Sequence, residues 1–113
     1  MWSYYSAVRL ISKAHLERMI VRYPQAAGGL RFWYHGIISS DFAHLAALQE
    51  VFASADHIAG DRVVFNIKGN HFRLVAAIDF ARQVVYFKWF GTHKEYDRID
   101  PAEVGYERPA HKD

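Results

Sequence analysis

On either side of Gly69-Asn70, apolar and polar residues alternate in step. Val63, Phe65, Ile67, Phe72, Leu74, Ala76 and Ile78 hold one parity, and Val64, Asn66, Lys68, His71, Arg73, Val75 and Asp79 hold the other. Strand side chains alternate between the two faces of a sheet, so the pattern fits two antiparallel strands joined by a two-residue turn, with Gly69 free to take a positive φ at the first central position. That register pairs Lys68 with His71, Ile67 with Phe72, Asn66 with Arg73, and Phe65 with Leu74. A slip of one residue would bury Lys68 and Arg73 at a cost of several kcal/mol per unpaired charge, so the register is strongly specified. One face is apolar and must be covered; the other carries Asn66, Lys68, His71 and Arg73.

Val84 to Phe90 is a third run rich in β-branched and aromatic residues. With an even loop within Phe80 to Gln83 it extends the meander, placing Val85, Phe87 and Trp89 on the apolar face and Tyr86, Lys88 and Phe90 on the polar one. Upstream the period changes. Val8 to Ile11 is a short apolar run, and Ser12 is placed to cap a helix carrying Leu16, Met19, Ile20 and Tyr23 before Pro24 stops it. A second helix is expected after Gly28-Gly29, through Leu30, Trp33, Tyr34, Ile37 and Ile38, and a third after an Asp41 N-cap, through Phe42, Leu45, Leu48, Val51 and Phe52. The expectation is an α+β fold: helices on one face of a small antiparallel sheet.

The 113 residues, 51% of them hydrophobic, suffice for one core and one domain. With no cysteine, disulfides and thiolate metal sites are excluded. No apolar run is long enough to span a bilayer, and the aromatic Met1 to Ala7 lacks the pattern of a signal peptide, so a cytoplasmic protein without membrane association is expected. The net charge of +2 is modest but uneven. From Asp61 to Arg98 there are seven Lys or Arg against four Asp or Glu, and from Ile99 to Asp113 two against four. Such a surface suits phosphate contacts, or it is a sheet edge whose lysines discourage aggregation.

Gly91 to Arg98, Gly-Thr-His-Lys-Glu-Tyr-Asp-Arg, sets an imidazole, cations and a phenol just after the last strand. Cleaving RNA requires a base for the 2′-hydroxyl, a clamp for the phosphate and an acid for the 5′-oxygen. His93 can exchange a proton near neutral pH. Arg73 can grip phosphate oxygens bidentately, with Lys68 and Lys94 adding charge. Tyr96 can orient the phosphate, donate a proton or stack on a base. Asn66, His71, Lys88 and Arg98 complete the candidate RNA-binding face. Each has a plainer reading: His93 as a solvated surface residue, His71 as a turn residue, Asp97 and Arg98 as the solvated end of a last turn. His15, His35, His44 and His57 lack ligand spacing and read as surface. No metal site or cofactor is expected, since no His-x-x-x-His pair occurs and Asp61, Asp79, Glu95, Asp97 and Asp100 form no compact cluster.

Together, Val8-Arg9-Leu10-Ile11-Ser12-Lys13, Val63-Val64-Phe65-Asn66-Ile67 with Gly69-Asn70, Arg73-Leu74-Val75, and Gly91 to Asp97 resemble the HigB toxins, a branch of the RelE-like superfamily of type II toxin–antitoxin systems. The resemblance covers Val8 to Asp100. It leaves residues 1–7 as an extension and 101–113 as a tail outside the family pattern, within a single domain. It implies a RelE-like fold with an N-terminal strand. It implies also an mRNA interferase acting on translated message at the ribosome; with the residue chemistry above, cleavage is expected to be metal-independent, with Arg73, His93 and Tyr96 as the catalytic set. The expected partners are mRNA, the ribosome, a HigA-type helix-turn-helix antitoxin and, through that complex, operator DNA. In this superfamily the general base varies, and Lys68 stands where many relatives carry Gly. The alternative is a non-catalytic RNA- or ribosome-binding inhibitor of translation.

Overall fold

The computed structural model describes residues 8–105. Its elements are β1 (Arg9–Ile11), α1 (Lys13–Arg22), a 3₁₀ turn (Pro24–Ala26), α2 (Ala27–Ile38), α3 (Leu45–Val51), β2 (Asp56–Ala59), β3 (Arg62–Ile67), β4 (Phe72–Asp79), β5 (Val84–Thr92) and α4 (His93–Tyr96). The five strands are ordered β1-β5-β4-β3-β2. All neighbours are antiparallel except β1 and β5, which run parallel through Arg9–Val84, Leu10–Val85 and Ile11–Tyr86. This is the α+β arrangement anticipated, with the N-terminal run forming an edge strand.

The β3–β4 register is the one required by alternation: Phe65 faces Leu74, Asn66 faces Arg73 and Ile67 faces Phe72. Lys68 and His71 lie beyond the ladder and close the turn instead, the His71 N–H donating to the Lys68 carbonyl at 3.2 Å while Lys68 and Gly69 adopt φ values of 56° and 62°. Val63, Phe65, Ile67, Phe72, Leu74, Ala76 and Ile78 all enter one core with Leu16, Leu30, Trp33, Ile37 and Leu48 from the helices. Burying a large apolar side chain contributes about 1.5–3 kcal/mol. The sheet parity and the helical stripes therefore select the same partners.

Two expectations fail for identifiable reasons, and a third holds in position only. The second helix starts at Ala27 and contains the glycine pair, because Gly29 lies against β3: a Cβ there would come within 2.8 Å of Ile67 Cγ2. The third helix starts at Leu45, where the His44 Nδ1 accepts from the Ala47 N–H at 3.2 Å; Asp41 is not its cap and Phe42 precedes it as a buried core residue. Ser12 does occupy the α1 N-cap position, but it has φ 74° and makes no side-chain capping bond. The short, mostly exposed β2 carries Asp56 and His57 and no apolar alternation to announce it; such charged residues suit an edge strand.

The fourth difference moves the candidate site. Ala76 pairs with Phe87, but Val75 pairs with Trp89, so Lys88 is the extra residue of a β-bulge. A bulge reverses the alternation beyond it. Val85 and Phe87 remain in the core as expected, whereas Phe90 rather than Trp89 is buried there, stacked on Phe72 at 5.3 Å. Trp89 passes to the opposite face.

That second face is not uniformly open. Val64, Val75, Ala77 and Val84 are buried on it, outside the helix-side core. The chain after α4 is tied to it by Arg62, whose guanidinium donates to the Pro101 carbonyl at 3.1 Å and to that of Val104. Residues 101–105 are thus part of the packed structure; residues 1–7 and 106–113 lie outside the described residues. Among the described residues no helix is long and apolar enough to cross a membrane.

Candidate active site

The sheet register lines up Asn66 of β3, Arg73 of β4 and Gly91 of β5 in one row of the second face, next to a row of Val64, Val75 and Trp89. Above them sits α4, anchored by a capping box. The Thr92 hydroxyl accepts from the Glu95 N–H at 3.1 Å, and Glu95 Oε1 accepts from the Thr92 N–H at 2.7 Å. Glu95 Oε1 also accepts from the Tyr23 hydroxyl at 3.1 Å, which joins the end of α1 to the start of α4. The His93 N–H donates to the His71 carbonyl at 2.9 Å, so the β3–β4 turn fixes where the imidazole starts.

Arg73 is the centre of the resulting cluster. Its Nη2 donates to Asn70 Oδ1 at 2.7 Å and lies 3.1 Å from His93 Nδ1, and its Nη1 donates to the carbonyls of Phe72 at 3.2 Å and Asn70 at 3.3 Å. Among the described residues no carboxylate lies within 4 Å of it, so every partner is neutral or a carbonyl. Arginine has no lone pair to offer, hence His93 Nδ1 is the acceptor and carries no proton while this bond is made. His93 Nε2 lies 4.0 Å from Asp97 Oδ2.

Tyr96 extends over the same face, with its ring centroid 6.2 Å from that of Trp89. Burial pushes its phenol above the ordinary value, against an opposing pull from the Arg73 charge, with Asp56 and Asp97 adding to the rise. It therefore stays protonated through the physiological range. Glu95 moves the other way: the bond from the Thr92 N–H holds its carboxyl below the usual value, with Tyr23 assisting and partial burial opposing.

A family model described as the HigB toxin, the RelE-like toxic component of a toxin–antitoxin system, matches residues 26–99. The mRNA interferase HigB of Shigella flexneri is 34% identical over 92 residues, covering 80% of this chain and 88% of that protein. The mRNA interferase HigB of Escherichia coli O6:H1 (strain CFT073) is 29% identical over 94 residues, covering 81% and 91%. The chain belongs to the HigB toxin family. As a HigB toxin it is the toxic half of a toxin–antitoxin pair and has an antitoxin partner.

In this HigB chain, Arg73 Nη2 lies beside His93 Nδ1, and the Arg73 charge acts on the Tyr96 phenol. Asn66 shares the row of Arg73, and Lys68 and His71 sit exposed at the adjoining turn, His71 Nδ1 lying 3.0 Å from the Lys68 carbonyl. Lys94 and Arg98 are exposed on α4 and the turn after it. Lys88 stays on this face beside Tyr86, its Nζ 5.5 Å from the ring centre and its side chain toward Gly105. Two residues not expected at the site belong to the cluster, Asn70 through its bond to Arg73 and Trp89 through the bulge. The Thr-x-x-Glu of Thr92 to Glu95 was a legible signal for α4. His15 departs from its expected surface role: it is half-buried, edge-on to Phe87 at 4.8 Å, and burial, aided by Arg18, lowers its pKa.

Proposed function

We propose that this HigB toxin is a cytoplasmic mRNA endonuclease that cleaves translated message at the ribosome by attack of a ribose 2′-hydroxyl on the adjacent phosphate. The observation that carries this reading is the state of Arg73, a guanidinium held in place by Asn70, two backbone carbonyls and His93 yet with no carboxylate to spend its charge on among the described residues. An incoming phosphate is a far better partner for it than a neutral imidazole. When the scissile phosphate takes Nη2, the lone pair of His93 Nδ1 is released beside that phosphate.

His93 then removes the 2′-hydroxyl proton. The O2′–P bond forms, the P–O5′ bond breaks, and the products are a 2′,3′-cyclic phosphate and a 5′-hydroxyl. Asp97, one helical turn from His93, faces the Nε2 side of the imidazolium that results. Tyr96, kept as the phenol by burial, supplies the proton taken by the 5′-oxygen. Arg73 neutralises the charge that builds on the phosphate, with Lys68 and Lys94 adding to the field. These groups contribute modest factors each, on the order of 10²–10⁴ for acid–base catalysis, so positioning of the mRNA by the ribosome completes the site.

A HigA-type helix-turn-helix antitoxin neutralises the toxin, and the pair represses its own operon by binding operator DNA. Incubating the protein with a translating lysate and mapping the chemistry of the new RNA ends tests this. New 5′-hydroxyl and 2′,3′-cyclic phosphate ends are expected; 5′-phosphate ends, the product of metal-activated water attack, would refute it.

A further inference from the structure

Beside α4 is a cleft of about 250 Å³ lined by Arg22, Tyr23, Trp89, Glu95 and Arg98 with their neighbours. It exists because β1 pairs only with Val84 to Tyr86, which leaves the edge of β5 beyond Phe87 without a strand on that side. The cleft is smaller than the roughly 300–1,000 Å³ of drug-sized sites and suits one planar ring. Two of its sides are aromatic. Arg22 and Arg98 are cations that make no ion pair among the described residues, and the Arg22 guanidinium sits 5.4 Å from the Tyr23 ring centre.

Glu95 gives the cleft its polarity. Its Oε1 accepts from the Thr92 N–H and the Tyr23 hydroxyl, and the Thr92 side chain and the Arg22 charge also act on the carboxylate, while its Oε2 makes no bond of the same geometry among the described residues. The carboxyl is held ionised, so Oε2 is an acceptor only. A ring entering here meets aromatic faces and arginines, and its edge meets an acceptor that rewards an amino donor and repels a carbonyl.

Building on the nuclease reading above, we propose that this cleft binds the base of a nucleotide flanking the scissile phosphate, with its amino group on Glu95 Oε2 and backbone phosphates on Arg22 and Arg98. Adenine, cytosine and guanine carry such a group, and uracil does not. The cleft therefore selects against uridine at one fixed position beside the cut, by about fivefold for one hydrogen bond of ~1 kcal/mol.

Glu95→Gln separates the outcomes, because glutamine keeps the Oε1 acceptor of the capping box and turns the other position into a donor. Wild-type and variant toxins are induced, new RNA 5′ ends are mapped, and base frequencies around the cuts are compared. The wild type should show uridine depleted at one position, and Glu95→Gln should abolish or reverse that depletion. Arg22→Ala and Arg98→Ala should each lower cleavage several-fold and leave the depletion in place. If wild-type ends show no such depletion, or a folded Glu95→Gln keeps it, the cleft assignment is wrong. If Glu95→Gln does not fold, the arginine variants decide: full cleavage by both overturns the assignment. If the wild type makes no new ends at all, the nuclease reading fails instead.

Discussion

Nη2 of Arg73 lies 3.1 Å from Nδ1 of His93, across 20 residues of sequence and from two different elements. The first group can only donate, so the second is the acceptor of that bond, and in the proposed reaction phosphate replaces it there. Arg73→Ala should reduce RNA cleavage by on the order of 10²–10³-fold, the range for loss of one charge-stabilising donor. Arg73→Lys should recover only part of it, because an ammonium cannot reproduce the planar fork. Single-turnover cleavage rates check both, with circular dichroism confirming that the partly exposed side chain is not needed for folding.

Glu95 links acid stability to the position of α4. Its folded-state pKa lies below the ordinary 4.5, chiefly through the bond from the Thr92 N–H. A depressed carboxylate contributes stability that is present above its unfolded pKa and lost as pH falls through its folded one. Wild-type melting temperature should therefore drop as pH is taken below 4.5. Glu95→Gln should flatten that slope, and a thermal melt series from neutral to acid pH measures it. Removing the other half of the box, Thr92→Ala, should cost about 0.5–2 kcal/mol of stability and lower cleavage by loosening His93.

The neighbouring glycines of α2 should respond oppositely. A Cβ on Gly28 meets nothing within 4 Å, so Gly28→Ala should stabilise by up to about 1 kcal/mol through helix propensity alone. At Gly29 the same methyl would lie 2.8 Å from Ile67 Cγ2 and 3.4 Å from the Lys68 backbone nitrogen. Gly29→Ala should cost about 1–3 kcal/mol, as overpacking does. Denaturant midpoints of the two variants distinguish them.

Gly91 carries a constraint that belongs to the site. A Cβ there would sit 2.6 Å from Trp89 Cη2 and 2.6 Å from Glu95 Oε1. Gly91→Ala must displace the indole or the capping carboxylate, so it should impair cleavage and weaken α4 together. Tryptophan fluorescence alongside a cleavage assay would register both effects.

How much of this was legible in the sequence can be judged from Arg73 and Trp89. Arg73 was placed on the right face, opposite Asn66, because a charge in mid-strand and an apolar alternation on both sides leave only one register. Trp89 was placed on the wrong face because a bulge inserts one residue without changing composition, and an aromatic fits either side of the reversed alternation. The contact of Arg73 with His93 is a tertiary relation that no spacing rule encodes; strand parity reaches only as far as placing Gly91 to Arg98 at the end of the sheet that carries Arg73. Asn70 was read as a turn residue alone, since the bond it makes to Arg73 depends on the conformation of the turn.

Whether Arg73 and His93 cut RNA rather than only bind it is tested directly by sequencing RNA 5′ ends after induction of the wild type, Arg73→Ala and His93→Ala, each expressed as folded protein. New internal ends in translated messages are expected for the wild type, and their loss, together with relief of growth arrest, in both variants. Growth arrest by the wild type without new ends would contradict it and indicate a non-catalytic block of translation, and undiminished cleavage by both folded variants would place the catalytic groups elsewhere.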